Sequence, residues 1–160
     1  MQNRLLLWGM LLLFSCNNRG PANEDGTADT ILSDEDLSPY DKLIWISEYD
    51  SIKGEFLLKK QRTINADTLT AENLVNDINA AWENVKLVFN KVSRDTLYVS
   101  IPDSDFLTRQ MGDTGAEAYI ASTTYNLTEL KGITFIHYDF EGGDHLSSGT
   151  FRRKDFENYR

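Results

Sequence analysis

The densest group of ligand-type side chains is His137-Tyr138-Asp139-Phe140-Glu141-Gly142-Gly143-Asp144-His145. Imidazole nitrogens and carboxylate oxygens are the donors that zinc and related ions take. Two histidines and three acids within nine residues therefore make His137, Asp139 and His145 candidate metal ligands. On a strand, His137 and Asp139 project to the same side, and the two glycines allow His145 to fold back. The segment has no HExxH and no other fixed ligand spacing. A half-exposed strand ending in a polar hairpin loop explains the same residues without a metal. That reading is preferred, and no cofactor is expected.

Nucleophilic and paired-carboxylate chemistry have less support. No Gly-x-Ser-x-Gly elbow is present, and Ser147-Ser148-Gly149 reads as a loop. Asp103 and Asp105 suggest a glycosidase pair, but their spacing ahead of a helical turn fits capping better. Gly112-Asp113-Thr114-Gly115 contains the Asp-Thr-Gly of aspartic proteases. In a chain this short it reads as a cap and turn. There is no phosphate-binding glycine loop.

The single cysteine, Cys16, carries the clearest chemistry. Arg4 precedes ten residues, Leu5 to Phe14, that are nearly all apolar. A bilayer-spanning helix needs about 20 such residues, so the run fits a signal peptide. Leu13-Phe14-Ser15-Cys16 resembles the lipobox of bacterial lipoproteins, where cleavage precedes a cysteine that then carries acyl chains. The expected division is a signal peptide over 1–15, a lipid anchor and disordered acidic tether over 16–40, and one domain over 41–157. Residues 17–40 hold six acids and one arginine, with sparse apolar residues and no period. Asn17 is not the Asp that retains lipoproteins in the inner membrane, so that resemblance implies the outer membrane of a Gram-negative cell.

With 16 Lys plus Arg against 25 Asp plus Glu, the net charge is −9, which argues against nucleic acid as a partner. Four Asp-Ser/Thr-aliphatic triplets make Thr30, Ser51, Thr68 and Thr96 candidate O-glycosylation sites. Among the aromatics, Trp45, Tyr49, Trp82, Tyr98, Tyr119, Tyr125 and Tyr138 could form a carbohydrate or peptide platform. Trp82 and Tyr119 fall on core stripes, whereas Tyr98 and Tyr138 are expected on an exposed sheet face.

These residues need elements to hold them. Glu55–Lys60 reads as a first strand, entered through the apolar run Leu43–Ile46. Thr70 can cap a helix on which Leu74, Val75, Ile78 and Trp82 share a face. Lys86–Val92 and Thr96–Ile101 read as a hairpin. Asp103 starts a helical turn that ends before Gly112, and a helix over 114–130 buries Tyr119, Ile120, Thr123, Leu127 and Leu130. Gly132 stops it, Ile133–Phe140 is a strand, and Thr150-Phe151 begins a closing one. The class is α+β: a small two-layer sandwich in β-α-β-β-α-β order, with helices on one face of a sheet.

Within that order, Tyr125-Asn126-Leu127-Thr128-Glu129-Leu130-Lys131-Gly132-Ile133-Thr134-Phe135-Ile136 resembles the T-L-T-E-x-x-G-V stretch of the GerMN domain family, first recognised in a spore-germination lipoprotein. The resemblance covers about Leu57 to Phe151. Asn126 stands where the family usually has Thr. The resemblance implies an envelope lipoprotein module related to scaffold-building domains, and it carries over no catalytic residue. The expected function is a lipid-anchored, non-enzymatic interaction module that meets another envelope protein or polymer. The alternative is a small metal-assisted hydrolase or ligand-binding protein acting on envelope polymers.

Overall fold

A computed structural model describes residues 36–159 of the chain. The leader, Cys16, Thr30 and the tether as far as residue 35 lie outside the described residues. No helix among the described residues is long and apolar enough to cross a membrane.

The short helix α1 (Pro39–Lys42) begins where the Ser38 hydroxyl accepts the Asp41 amide and proline takes the first position. The apolar run that follows enters β1 (Trp45–Asp50), which pairs antiparallel with β2 (Glu55–Lys60). Their turn closes on Gly54 at φ 73°, and the Asp50 carboxylate accepts the amides of Ile52 and Lys53. Thr70 then caps α2 (Ala71–Ala81) by accepting the Asn73 amide at 3.2 Å. Leu74, Val75 and Ile78 are buried on this helix, as their spacing predicts. Trp82 is its C-cap rather than a member of its face.

β3 (Val88–Ser93) and β4 (Thr96–Ser100) form the expected hairpin, with a register shift between Phe89 and Lys91. A π-helical turn (Phe106–Gln110) leads into α3 (Gly112–Leu127), followed by β5 (Phe135–Asp139), β6 (Gly149–Phe151) and 3₁₀ turns over Arg153–Tyr159. The larger sheet runs β3-β4-β5-β6. β4 and β5 are parallel, so α3 is the crossover that such a pair requires. The class is mixed α+β with helices packed on sheets, as the pattern predicts.

Two features differ from the sequence reading. The first strand does not join the main sheet: β2 pairs only with β1, in a separate hairpin. In addition, every residue of α3 from Ala118 to Leu127 is buried, rather than one stripe. The two findings share a cause. α3 lies between the hairpin and the larger sheet, touching the hairpin through Asn126 and the sheet through Thr123 and Thr124. A helix packed on both sides has no solvent face to fill with charge. Its small hydroxyl residues bond back to the helix: Ser122 and Thr123 both donate to the Tyr119 carbonyl, at 3.2 and 2.8 Å.

Candidate functional site: the outer face of the larger sheet

Alternation sorts the side chains of the larger sheet into two faces. On β4, Leu97 and Val99 are fully buried, and Thr96, Tyr98 and Ser100 point the other way. On β5, Ile136 and Tyr138 face the core, while Phe135, His137 and Asp139 face out. Register then aligns Lys91, Tyr98, His137 and Thr150 as one row across all four strands.

The row is internally connected. Lys91 Nζ lies 5.0 Å from the Tyr98 ring centroid, a cation–π contact. The rings of Tyr98 and His137 are 5.2 Å apart at 51°. His137 Nδ1 and Thr150 Oγ1 are hydrogen-bonded at 2.8 Å. Arg152 covers the Phe135 ring at 5.7 Å beside the row. Lys91, Asp139 and Thr150 are exposed, and Tyr98, His137 and Phe135 are half-buried. The edge strand β3 adds Val88, which pairs with the outward Ser100 and is exposed by 45%. This face offers aromatic edges, a cation, an imidazole and hydroxyls on a rigid support, which are the groups of a recognition surface.

Tyr138 is a correction to the sequence reading. It is fully buried, and its hydroxyl bonds to Thr123 and Thr124 at 2.9 and 3.0 Å. Burial holds its phenol above the usual value, only partly offset by those two hydrogen bonds. The physical reason is phase. Tyr98 pairs with His137 and Val99 pairs with Tyr138, so Tyr138 shares the core face with Val99. Trp82 and Tyr119 pack edge to face at 5.3 Å, in keeping with their core spacing.

The histidine segment is divided. His137 is held by Thr150, whereas His145 Nδ1 meets Asp113 Oδ1 at 2.7 Å and its amide donates to the Thr108 carbonyl. Asp139 is exposed at the end of β5. Among the described residues no three His, Cys, Asp or Glu side chains gather as a metal site. The glycines carry His145 onto the first turn of α3 and the π-helical turn. Asp113 was readable only as a turn residue, because its partner lies 32 residues away.

Gly143 makes this packing possible. A Cβ there would stand 2.7 Å from Thr108 Oγ1 and 2.9 Å from the Thr108 carbonyl oxygen. Gly143→Ala is therefore expected to cost about 1–3 kcal/mol, read as a lower urea midpoint. An unchanged midpoint would show that the loop shifts without cost.

The remaining sequence candidates are placed as follows. Asp105 does not cap the π-helical turn. Its carboxylate takes Arg109 and Gln110, each at 2.7 Å, and the Arg109 bond leads in holding its carboxyl below the usual range. Asp103 accepts the Asp105 amide at 3.4 Å. Ser51 lies in the exposed turn of the first hairpin. Thr68 is exposed and donates to the Asn65 carbonyl at 2.8 Å. Thr96 is half-buried in β4, paired on both sides.

A second constellation holds the domain together. Asn126 Oδ1 accepts the amides of Ile44 and Trp45 at 2.8 and 3.1 Å, and its Nδ2 donates to the carbonyls of Trp45 and Ser122 at 2.6 and 2.8 Å. Glu129 accepts Trp45 Nε1 at 2.7 Å and an Arg153 nitrogen at 2.6 Å. The Arg153 guanidinium lies 5.5 Å from the Trp45 ring and 5.1 Å from the Tyr125 ring. It also donates to Thr128 Oγ1 and the Tyr125 carbonyl. The Tyr125–Glu129 stretch therefore ties together the first hairpin, the end of α3 and the C-terminal turns.

No family model matches the chain, and no curated protein matches it. Among solved structures, it is similar to the tandem GerMN domains of the sporulation protein GerM from Bacillus subtilis. The TM-score is 0.44 and the identity 11%, over 70% of this chain and 47% of that one. The chain thus spans about half the length of that structure.

Proposed function

We propose that this chain is a lipid-anchored cell-envelope protein whose domain is a non-catalytic interaction module. It meets another envelope protein or polymer through the outer face of the β3-β4-β5-β6 sheet. The observation that carries this reading is the Lys91–Tyr98–His137–Thr150 row, registered across four strands and left open while the opposite face packs on α3. The anchor reading rests on Leu13–Cys16 and on Cys16 being the only cysteine. An acyl anchor needs two or more chains for stable binding. A net charge of −9 adds no attraction to anionic lipid, so the acyl chains must hold the protein alone. The histidines of the hydrolase alternative are engaged by separate partners, Thr150 and Asp113.

Membrane fractionation of Cys16→Ala tests the anchor. The variant is expected to leave the pellet; retention would contradict lipidation at Cys16. Tyr98→Ala and Lys91→Glu test the face. Both are expected to keep the wild-type unfolding midpoint and to lose whatever crosslinks to the native protein in envelope fractions. Undiminished crosslinking by both variants would place the partner elsewhere.

A further inference from the structure

The C-terminal turns begin with the only run of three consecutive basic residues in the chain, Arg152-Arg153-Lys154. All three line one groove of about 280 Å³, together with Thr128, Ile133 and Thr134. Among the described residues no acid lines it, on a chain whose net charge is −9. Like charges repel, so three cations gathered along one groove favour an anion between them.

The fold leaves most of their donors unused. Arg153 gives its Nε–H to Thr128 Oγ1 and its Nη2 hydrogens to the Tyr125 carbonyl and Glu129. Its two Nη1 hydrogens have no acceptor among the described residues. The Arg152 guanidinium lies over the Phe135 ring and 3.6 Å from Asp155, and among the described residues it makes no hydrogen bond. Lys154 is exposed, and its ammonium has neither an ion pair nor a hydrogen bond among those residues. The backbone N–H of Thr134 goes to the Asp95 carbonyl, which leaves its hydroxyl to donate outward.

This inventory selects the kind of anion. A carboxylate offers two oxygens and one charge. A phosphate monoester offers three terminal oxygens and close to two charges, a better match for guanidinium forks beside an ammonium. A net charge of −9 opposes an extended anionic surface. A small ion meets chiefly the groove, because charges beyond about 8 Å are screened at physiological salt. We propose that the groove binds the phosphate group of a small phosphate monoester. Arg152, Lys154 and the Nη1 edge of Arg153 hold its oxygens, and the Thr134 hydroxyl donates to one of them.

Glycerol 3-phosphate and glycerate are suitable probes, alike in body and differing in the anion. Each is titrated into the full chain at constant ionic strength while the backbone amides are followed by NMR. Glycerol 3-phosphate is expected to shift Ile133, Thr134 and Lys154 saturably, with a Kd of about 1 mM, and to bind about tenfold more tightly than glycerate. Lys154→Glu should weaken it about tenfold with an unchanged unfolding midpoint, and Arg152→Gln should weaken it as well. Lys154→Glu serves alone if Arg152→Gln fails to fold. Lys53→Glu makes the same change in net charge on the turn of the first hairpin and should leave binding unchanged. Shifts that do not saturate, equal binding of the two probes, or equal losses in Lys154→Glu and Lys53→Glu would each overturn the proposal.

Discussion

Asn126→Ala is expected to cost about 3–5 kcal/mol of stability and to release the first hairpin before the rest of the fold. An amide side chain has two acceptor sites and two donors, and Asn126 uses all four on backbone groups. The residue is 1% exposed, Ile44 is 0% and Trp45 is 6%, so water cannot replace what is lost. Truncation leaves two buried amides and two carbonyls short of a partner. Each carries a penalty of about 1–3 kcal/mol, and partial relaxation keeps the total below their sum. Asn126→Asp should fare no better, because a carboxylate supplies no donor and brings a charge into the core. Denaturant unfolding reads the loss, and hydrogen exchange at Ile44 and Trp45 locates it. A loss under about 1 kcal/mol with unchanged exchange would show that the hairpin is held by apolar packing alone.

The second large effect concerns Glu129 and Arg153. Burial pushes the Glu129 carboxyl up, but hydrogen bonds from Trp45, Arg153 and Lys60, with the Arg153 charge, outweigh it and leave it below the usual range. A carboxyl whose folded pKa is lowered stabilises the fold above its unfolded value. That contribution is lost as pH falls through the folded one. The wild type should therefore be more stable than Glu129→Gln at neutral pH, and the gap should close below about pH 4. A gap that stayed constant with pH would mean that the charge is irrelevant. Arg153→Ala removes the cation between two rings and leaves Lys60, at 3.3 Å, to face a carboxylate whose side chain is only 16% exposed. Arg153 itself is 37% exposed, so screening limits the expected cost to about 2 kcal/mol.

Local signals were the legible ones. The Thr70 cap, the α2 face and the alternation of Leu97, Val99 and Ile101 each depend on neighbours in sequence, and each appears in the structure. Tyr98 was readable as outward because β4 alternates in one phase only. β5 offers large residues in both phases, Phe135 and His137 against Ile136 and Tyr138, so Tyr138 was placed on the wrong side. β1 was hidden because its apolar run does not alternate. Its docking also depends on Asn126, more than 80 residues away. The Tyr125–Glu129 stretch was legible as a helix end. Its role as a clamp depends on Trp45 and Arg153, which nothing in the stretch itself names. The partners of the two histidines were hidden for the same reason: Asp113 and Thr150, not the nearby acids, take the imidazoles.

The central claim is that the outer sheet face meets the partner. Site-specific photocrosslinking in the native envelope tests it most directly, with a photoreactive residue at Tyr98 on the face or at the exposed Glu72 on α2. The account predicts a discrete adduct from position 98 that disappears with Lys91→Glu, and none from position 72. Equal labelling from both positions, or an adduct from position 72 alone, would contradict it.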